Sequence, residues 1–214
     1  MKLHYNKKYF DWQQKAGRYG AEQDRWMYEE YVRPEDEVLD FGCGGGYMLQ
    51  KLACKRKVGV DINKEARLEA KKKGLEVFPT IEKIPVRTTF DVIISHHTLE
   101  HVADPVVILR KLKTRLRKNG IFIVVVPIDE WRVEQKYDPK DINLHLYTWT
   151  PRLLGNLFSL AGYTIREIRI LNTAWLPLSR FYYRFIPRPL YRIVSYFWSV
   201  ITFSRQIRIV VGKK

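Results

Sequence analysis

The sequence predicts an α/β protein in which a mostly parallel sheet carries helices on both faces. Short apolar segments alternate with helical segments of about 10–15 residues, which is the arrangement that builds parallel sheets. The turn Gly42 to Gly46 joins the first apolar segment to a helix. A glycine-rich turn at that place brings backbone N–H groups to a helix N-terminus and lets a ligand approach closely.

The predicted strands are short and apolar, and they span residues 37–41, 57–60, 75–78, 90–94, 121–126, 163–171 and 206–211. The run 121–126 is apolar throughout, as expected for a strand that is buried on both faces. Only one inserted segment separates the last two strands, so we expect them to pair as a hairpin at an edge of the sheet.

The predicted helices span residues 6–16, 20–32, 47–55, 63–73, 104–118 and 150–161. The first two are separated by Gly17 and Gly20, and Pro34 ends the second. The length of 214 residues fits one domain with a full-sized core. We therefore expect a single domain, residues 1–214, with a helical cap at 1–34 and an insertion at 172–204 between the last two strands.

Composition excludes several classes of protein. The two cysteines, Cys43 and Cys54, form no CxxC pair and no cluster with histidine at zinc spacing, so reduced thiols in the cytoplasm are expected. The N-terminus lacks the apolar core of a signal peptide, and no apolar run approaches the roughly 20 residues of a spanning helix.

The charge is strongly positive and unevenly distributed. The net charge is +15, from 38 basic and 23 acidic residues, and this favours anionic partners such as nucleic acid, anionic lipid or a phosphorylated substrate. A solvated basic surface that only aids solubility is an equal alternative. After Glu167 come nine Lys or Arg and ten aromatic residues with no acid among them.

The pattern around the glycine turn favours a nucleoside-bearing ligand. Asp61 follows the second predicted strand, where a carboxylate can accept hydrogen bonds from ribose hydroxyls. The dinucleotide fingerprint needs a further glycine, but Tyr47 or Leu49 stands there, and no GK[ST] phosphate loop follows. Asp40, two residues before the first glycine, suits a cationic amino group and would repel a pyrophosphate.

Further segments complete a recognisable set: Val38 to Gly46, Val58 to Ile62, Phe90 to Ser95, Leu99 to Val102, Leu109 to Val126, His145, Thr150 and Leu157 to Gly162. Together they resemble the class I S-adenosylmethionine-dependent methyltransferases, in the ubiquinone/menaquinone-methyltransferase-like branch. The resemblance covers residues 30–171 and resumes at 206–212. It implies a Rossmann-like, mostly parallel seven-stranded sheet with an antiparallel last strand, and S-adenosyl-L-methionine as the cofactor.

The resemblance also implies which residues bind the methionine and ribose parts of the cofactor. Asp40, Gly42 and Gly44 would border the methionine moiety, and Cys43 belongs to the same turn. Asp61 would bind the ribose. For Asp61 a plain helix N-cap is the competing interpretation, because aspartate is favoured at that position.

A second group of matching positions would lie near the adenine. Ile62 would pack on the ring, and Thr80 and Ile81 stand where the family reads its edge. An acid is usual at the first of these two positions, so Thr80 is a departure that puts the contact with the adenine amino group in doubt. Ser95 and His96 would supply backbone close to the cofactor.

Catalysis requires little beyond alignment, because the methyl group of a sulfonium is already activated. A hydroxyl acceptor also needs a general base, and histidine suits that role near neutral pH. The candidate catalytic residues are His97, His101 and His145. His97 and His101 are four residues apart, yet a third metal ligand is missing, so we predict no metal site.

The insertion 172–204 mixes arginine with aromatic residues. Its arginines recur every four residues, at Arg180, Arg184, Arg188 and Arg192. Pro187 and Pro189 predict two short helices in place of one. Three interpretations compete: a lid at an anionic membrane surface formed by 175–203, a surface that packs on a partner or on the domain itself, and, less favoured, a nucleic-acid surface.

The sequence as a whole predicts methyl transfer to oxygen, nitrogen or carbon of a small-molecule or lipid-like acceptor. Two alternatives are an RNA methyltransferase that uses the basic surface and a membrane or scaffold protein that binds the cofactor without turnover. A cytoplasmic protein, peripherally bound to membrane in one interpretation, is expected. The sequence leaves the acceptor, its reacting atom and the oligomeric state open.

Overall fold

The structure, a computed structural model, describes residues 7–129, 136–178 and 185–213, apart from the side chains of Lys8 and Trp12. The helices of these residues are α1 (Lys7–Asp24), α2 (Trp26–Glu29), α3 (Tyr47–Lys51), α4 (Lys64–Lys72), α5 (Pro105–Arg115), α6 (Pro151–Leu160) and α7 (Arg188–Thr202). Two single turns of 3₁₀ helix span Ile81–Lys83 and Leu99–His101.

The described residues contain one seven-stranded sheet. Its strands are β1 (Glu37–Phe41), β2 (Arg56–Val60), β3 (Glu76–Phe78), β4 (Phe90–His96), β5 (Leu116–Ile128), β6 (Tyr163–Asn172) and β7 (Arg205–Lys213). Their spatial order is β3-β2-β1-β4-β5-β7-β6. The first five run parallel, and β7 is antiparallel to both β5 and β6. The predicted seven-stranded, Rossmann-like sheet with an antiparallel last strand is therefore confirmed.

Alternation along the strands divides the core into two layers. Leu39, Ile93 and Phe122 belong to one buried cluster, which contains residues of α5 and α6. Their chain neighbours Val38 and Ile94 belong to the other cluster, which contains residues of α1, α2 and α3. Because successive side chains of a strand point to opposite faces, helices cover the sheet on both sides.

The first helix corrects one prediction. α1 runs unbroken from Lys7 to Asp24, so the predicted break at Gly17 and Gly20 is wrong. A Cβ on Gly17 would lie 3.1 Å from the ring of Tyr47, and one on Gly20 would lie 2.8 Å from the ring of Trp175. The two glycines therefore serve close packing of α1 against aromatic rings and do not end the helix.

A second correction concerns the boundary between α5 and β5. The helix ends at Arg115 and the strand begins at Leu116, so the segment Asn119-Gly120 lies within β5 and not at the end of a helix. A Cβ on Gly120 would lie 2.8 Å from the carbonyl oxygen of Asp91 in β4. This close approach of two strands explains the glycine, which the sequence presents as a helix stop.

Part of the insertion 172–204 can be compared with its prediction. α7 is a helix of 15 residues that begins at Arg188, with Pro187 at its N-cap and Pro189 in its first turn. Proline is tolerated there because the first N–H groups of a helix have no partner within it. The two prolines therefore stand at the start of the second predicted helix. Residues 179–184, which include Arg180 and Arg184, lie outside the described residues.

Candidate functional site

The glycine turn adopts a backbone that glycine permits and other residues resist. Gly42, Gly44 and Gly46 have φ of 83°, 52° and 75°. The start of the turn is fixed to the end of β2, because the N–H groups of Gly42 and Cys43 both donate to the carbonyl of Val60, at 2.8 and 3.1 Å. The turn that follows β1 is therefore tight and held in place at the carboxyl edge of the sheet.

Asp61 connects this turn to the next strand end. Its Oδ2 accepts a hydrogen bond from the N–H of Gly44 at 2.8 Å, and its Oδ1 accepts one from the N–H of Asn63 at 2.8 Å. Asn63 caps α4 through its own side chain, so the N-cap interpretation of Asp61 is wrong. Burial raises the pKa of Asp61, while the two N–H donors act in the opposite direction.

Asp40 lies on β1 beneath the turn and is only 3% exposed. Burial, together with the nearby Asp61 carboxylate, raises the pKa of Asp40 to about 8. It lines a cavity of about 630 Å³ that the glycine turn also borders. A buried carboxylate at the edge of a cavity suits a cationic group, which would favour its charged form. The residues present therefore fit the ammonium end of S-adenosylmethionine.

The cavity lies between the carboxyl edge of the sheet and the helices α1 and α7. Its walls are largely aromatic or small, and they include Tyr9, Phe10, Gly17, Gly20, Trp175, Trp198 and Phe203. A Cβ on Gly44 would meet nothing closer than the side chain of Gln13 at 3.8 Å. Space is thus open directly above the turn, and α1 forms the opposite wall.

Of the residues predicted near the adenine, His96 lines this cavity, and Ile62, Thr80, Ile81 and Ser95 lie beyond its lining. Ile62 is 53% exposed, and Thr80 is exposed at the start of a 3₁₀ turn. Ile81 is buried in the hydrophobic core, so its side chain does not face solvent. Ser95 is buried, and its hydroxyl donates to the carbonyl of Phe41 at 2.9 Å. Any contact of Ile81 or Ser95 with a ligand would therefore use the backbone.

Two consecutive histidines stack beside the cavity. The rings of His96 and His97 are 4.4 Å apart and nearly parallel. Nδ1 of His96 lies 2.9 Å from the hydroxyl of Tyr28, and Nε2 of His97 lies 2.8 Å from Oε1 of Gln206. Burial lowers the pKa of His96 well below its usual range, so its ring is neutral at physiological pH. His97 is exposed beside the cavity.

The other two candidate histidines form a second pair. The rings of His101 and His145 meet edge to face with centroids 4.9 Å apart. Nδ1 of His145 lies 2.9 Å from Oδ2 of Asp129, and both residues line the cavity. A carboxylate accepts from Nδ1–H, so this contact makes Nε2 the basic nitrogen of His145.

Glu100 lies next to this pair and is fully buried. Its two carboxylate oxygens have no hydrogen-bond partner among the described residues, and burial raises the pKa of Glu100 to about 8. Glu100, His101 and His145 each offer one ligand atom, and these atoms lie within 4.8 Å of one another. The sequence pattern paired only His97 with His101, so this grouping was not predicted.

The structure thus brings together Asp40, the glycine turn and the four histidines around one cavity. Sequence reasoning missed Asp129, which directly follows the end of β5. Its signal was available, because an acid at the carboxyl end of a parallel strand is the same feature that singles out Asp61. It also missed the role of α1 as a cavity wall, since nothing in the sequence pairs Gln13 or Gly20 with the glycine turn.

Comparison of the sequence with known families agrees with this geometry. Residues 5–168 match the model of a methyltransferase domain family. The chain is 31% identical over 163 residues to a ubiquinone biosynthesis O-methyltransferase of Aeromonas salmonicida, covering 66% of this chain and 68% of that one. It is 32% identical over 104 residues to the enzyme of the same name from Bradyrhizobium diazoefficiens, covering 44% of this chain and only 41% of that protein.

A similar fold occurs among solved structures. A chain solved in complex with the Trm112 methyltransferase activator of Haloferax volcanii superposes with a TM-score of 0.66. The match covers 96% of this chain and 98% of the other at 20% sequence identity. At that level of identity the likeness concerns the fold, and the site must be argued from its own residues.

Proposed function

Because the chain belongs to the class I S-adenosylmethionine-dependent methyltransferases, we propose that it methylates a hydroxyl group of a lipid-like aromatic acceptor, with His145 as the general base. S-adenosyl-L-methionine is the cofactor of this family. The observation that carries the proposal is the His145–Asp129 pair, which faces the same cavity as the glycine turn and Asp40.

The cofactor supplies an activated methyl group, and the chain has to hold it and orient it. In this proposal Asp40 binds the ammonium group and the glycine turn borders the methionine part. Asp61 accepts from the ribose hydroxyls while it keeps Gly44 in place. Ile62 packs on the adenine, and the backbone of Thr80, Ile81 and Ser95 lies along the adenosyl group.

The cavity wall supports an aromatic or lipid-like acceptor. Tyr9, Phe10, Trp175 and Trp198 present a largely apolar surface opposite the strand ends. Aromatic walls of this kind favour a flat apolar ligand, since stacking and burial both contribute. Two relatives named ubiquinone biosynthesis O-methyltransferase support a hydroxyl group as the acceptor.

The base is chosen on geometry. His97 is less suitable because its Nε2 contacts Oε1 of Gln206, and an amide oxygen stabilises an imidazolium less than a carboxylate does. In this proposal the carboxylate of Asp129 beside Nδ1 of His145 favours the tautomer that is basic at Nε2, and it stabilises the imidazolium that forms when the ring takes the proton of a hydroxyl. His101 packs against the edge of the His145 ring and holds it in position.

The proposal is tested by methyl transfer from S-adenosylmethionine to a catechol that carries a geranyl chain. Plain catechol serves as the matched acceptor without an apolar tail. We expect methylation at oxygen for both, with a much lower KM for the geranyl compound. Turnover of neither acceptor, or equal KM values, contradicts the proposed acceptor class. Methylation of RNA in place of both compounds favours the RNA methyltransferase alternative.

A further inference from the structure

The helix α7 carries its apolar side chains on the outside of the molecule. Phe197 is 61% exposed and Ile201 69% exposed, and the helix continues this surface with Leu190, Ile193, Val194, Tyr196 and Val200, all of which are exposed. At about 100° per residue these positions form one continuous arc of roughly 160° around the helix. Phe185, just before the helix, extends the same exposed surface.

The opposite face of α7 is polar or small, and it is this face that packs on the protein. The hydroxyl of Ser195 donates to the carbonyl of Ala174 at 2.7 Å and accepts from its N–H at 3.1 Å. The hydroxyl of Tyr191 lies 2.9 Å from that of Tyr19 in α1. Ser199, also buried, follows on the same face.

This polarity is the reverse of what an amphipathic helix shows on a water-exposed protein surface. Such a helix normally buries its apolar stripe and exposes its polar side chains. The polar side chains of α7 form hydrogen bonds with the protein, whereas its apolar arc remains exposed to water. Burial of that arc in a non-aqueous environment would be favourable. With 15 residues the helix is about 22 Å long, less than the roughly 30 Å of a bilayer core. None of the helices in the described part of the chain is long and apolar enough to cross a membrane.

The charge of the chain indicates which non-aqueous environment would accept the apolar arc of α7. The chain carries a net charge of +15, and no acid occurs after Glu167. Arg188 and Arg192 lie on the side of the helix away from the apolar arc, where Arg188 pairs with Glu22 at 3.0 Å and Arg192 covers the ring of Trp26 at 4.3 Å. A second copy of the chain would carry the same net charge of +15 and would therefore be repelled. An anionic bilayer provides acyl chains that can bury the apolar arc and negative headgroups that attract the positively charged chain.

We propose that α7 lies in the plane of an anionic lipid bilayer, with Phe197, Ile201 and Leu190 among the acyl chains, and that the net positive charge of the domain attracts it to the anionic headgroups. The helix then carries the whole domain on the membrane surface. This placement does not depend on methyl transfer, because it rests on the exposed arc and the charge alone.

The placement has a consequence for the cavity that does rest on the proposed function. Trp198, Thr202 and Phe203 line the cavity, whereas Phe197 and Ile201 are exposed on the outside. The last turns of α7 therefore separate the cavity from the bilayer. An acceptor with an apolar tail can keep the tail in the lipid while its aromatic head enters beside α7.

Co-sedimentation with vesicles tests the docking without any acceptor or cofactor. The probes are vesicles of phosphatidylcholine alone and vesicles of phosphatidylcholine mixed equally with phosphatidylglycerol. We expect the wild type to sediment with the mixed vesicles and to bind phosphatidylcholine alone far more weakly. The double variant Phe197→Ser/Ile201→Ser should lower the partition coefficient at least tenfold. Val86→Ser/Leu160→Ser, which changes two exposed apolar residues outside α7, is the matched control and should bind like the wild type.

Both double variants alter exposed side chains, so circular dichroism and thermal unfolding should match the wild type. The inference is overturned if the wild type does not sediment with mixed vesicles, if it binds both vesicle types equally, or if Phe197→Ser/Ile201→Ser binds as tightly as the wild type. A wild-type dimer that the α7 variant dissociates, with vesicle binding unaltered, also overturns it, because the arc would then be an interface between protein chains.

Discussion

Nδ1 of His145 lies 2.9 Å from Oδ2 of Asp129. Asp129 directly follows β5, and His145 lies in the loop before α6. The contact fixes the ring tautomer, so that Nε2 is the nitrogen that can accept a proton. It gives the cavity a base with a defined orientation.

Removal of that base should slow methyl transfer and leave cofactor binding intact. His145→Ala is expected to lower kcat about 100-fold, a typical contribution of general-base catalysis. Asp129→Asn should lower it about tenfold, because the amide no longer favours the required tautomer or the imidazolium. The measurement is steady-state turnover of the geranyl catechol, with the affinity for S-adenosylhomocysteine as the control. A kcat of His145→Ala equal to that of the wild type would exclude the residue as base.

Cofactor binding should depend on pH through Asp40. The pKa of Asp40 is about 8 in the free protein because the carboxyl is buried. An ammonium group beside it favours the carboxylate, so binding below about pH 8 releases a proton and the affinity rises with pH up to that value. We expect the affinity for S-adenosylhomocysteine to increase between about pH 6 and pH 8.

Calorimetry in buffers of different ionisation enthalpy measures this proton release directly. Asp40→Asn is the matched control, which should bind more weakly and lose the pH dependence. Proton uptake by the wild type, or an unchanged pH profile in Asp40→Asn, would contradict the role of this carboxyl.

Asp24 should affect stability in the same range of pH. It is buried, and burial raises its pKa to about 7 in the folded protein, above the model-peptide value of 3.8. The folded state thus keeps a proton that the unfolded chain has lost, and stability falls as the pH rises from about 4 to 7. Asp24→Asn does not titrate, so its unfolding temperature should exceed that of the wild type by more at pH 8 than at pH 5. A constant difference between the two proteins would show that Asp24 is ionised in the fold.

Two helical glycines should respond in opposite directions to the same substitution. A Cβ on Gly20 of α1 would lie 2.8 Å from the ring of Trp175, whereas one on Gly155 of α6 would make an ordinary contact of 3.4 Å with Ile165. In the interior of a helix, alanine is more favourable than glycine by about 1 kcal/mol. Gly155→Ala should therefore raise the unfolding temperature, and Gly20→Ala should lower it. Equal shifts in both variants would mean that α1 does not pack on Trp175 as described.

The sequence predicted those parts of the molecule that depend on local pattern. The strand segments, the glycine turn and the helix start at Thr150 all follow from short-range chemistry. The sheet and the family that the sequence indicated are both confirmed. The break predicted in α1 was wrong. Gly20 is required by the close approach of the Trp175 ring, which lies far away in the sequence, and it does not end the helix.

The candidate site was predictable to a similar extent. Asp40, Gly44 and Asp61 occur within one short stretch, so a single motif identifies them. Asp129 follows a strand end as Asp61 does, but its pairing with His145, 16 positions away, could not be predicted because no motif links the two. The sequence could not predict that α7 exposes its apolar face, since the apolar pattern of a helix does not show which face packs on the protein.

The most direct test of the whole account is isothermal titration of the folded wild type and of Asp61→Ala with S-adenosylhomocysteine. Asp36→Ala serves as the matched control, because it removes a carboxylate that accepts from the N–H of Arg33 ahead of β1, away from the glycine turn. We expect one-to-one binding by the wild type and by Asp36→Ala, and affinity at least tenfold lower for Asp61→Ala. Absence of binding by the wild type, or equal binding by Asp61→Ala, would contradict this expectation.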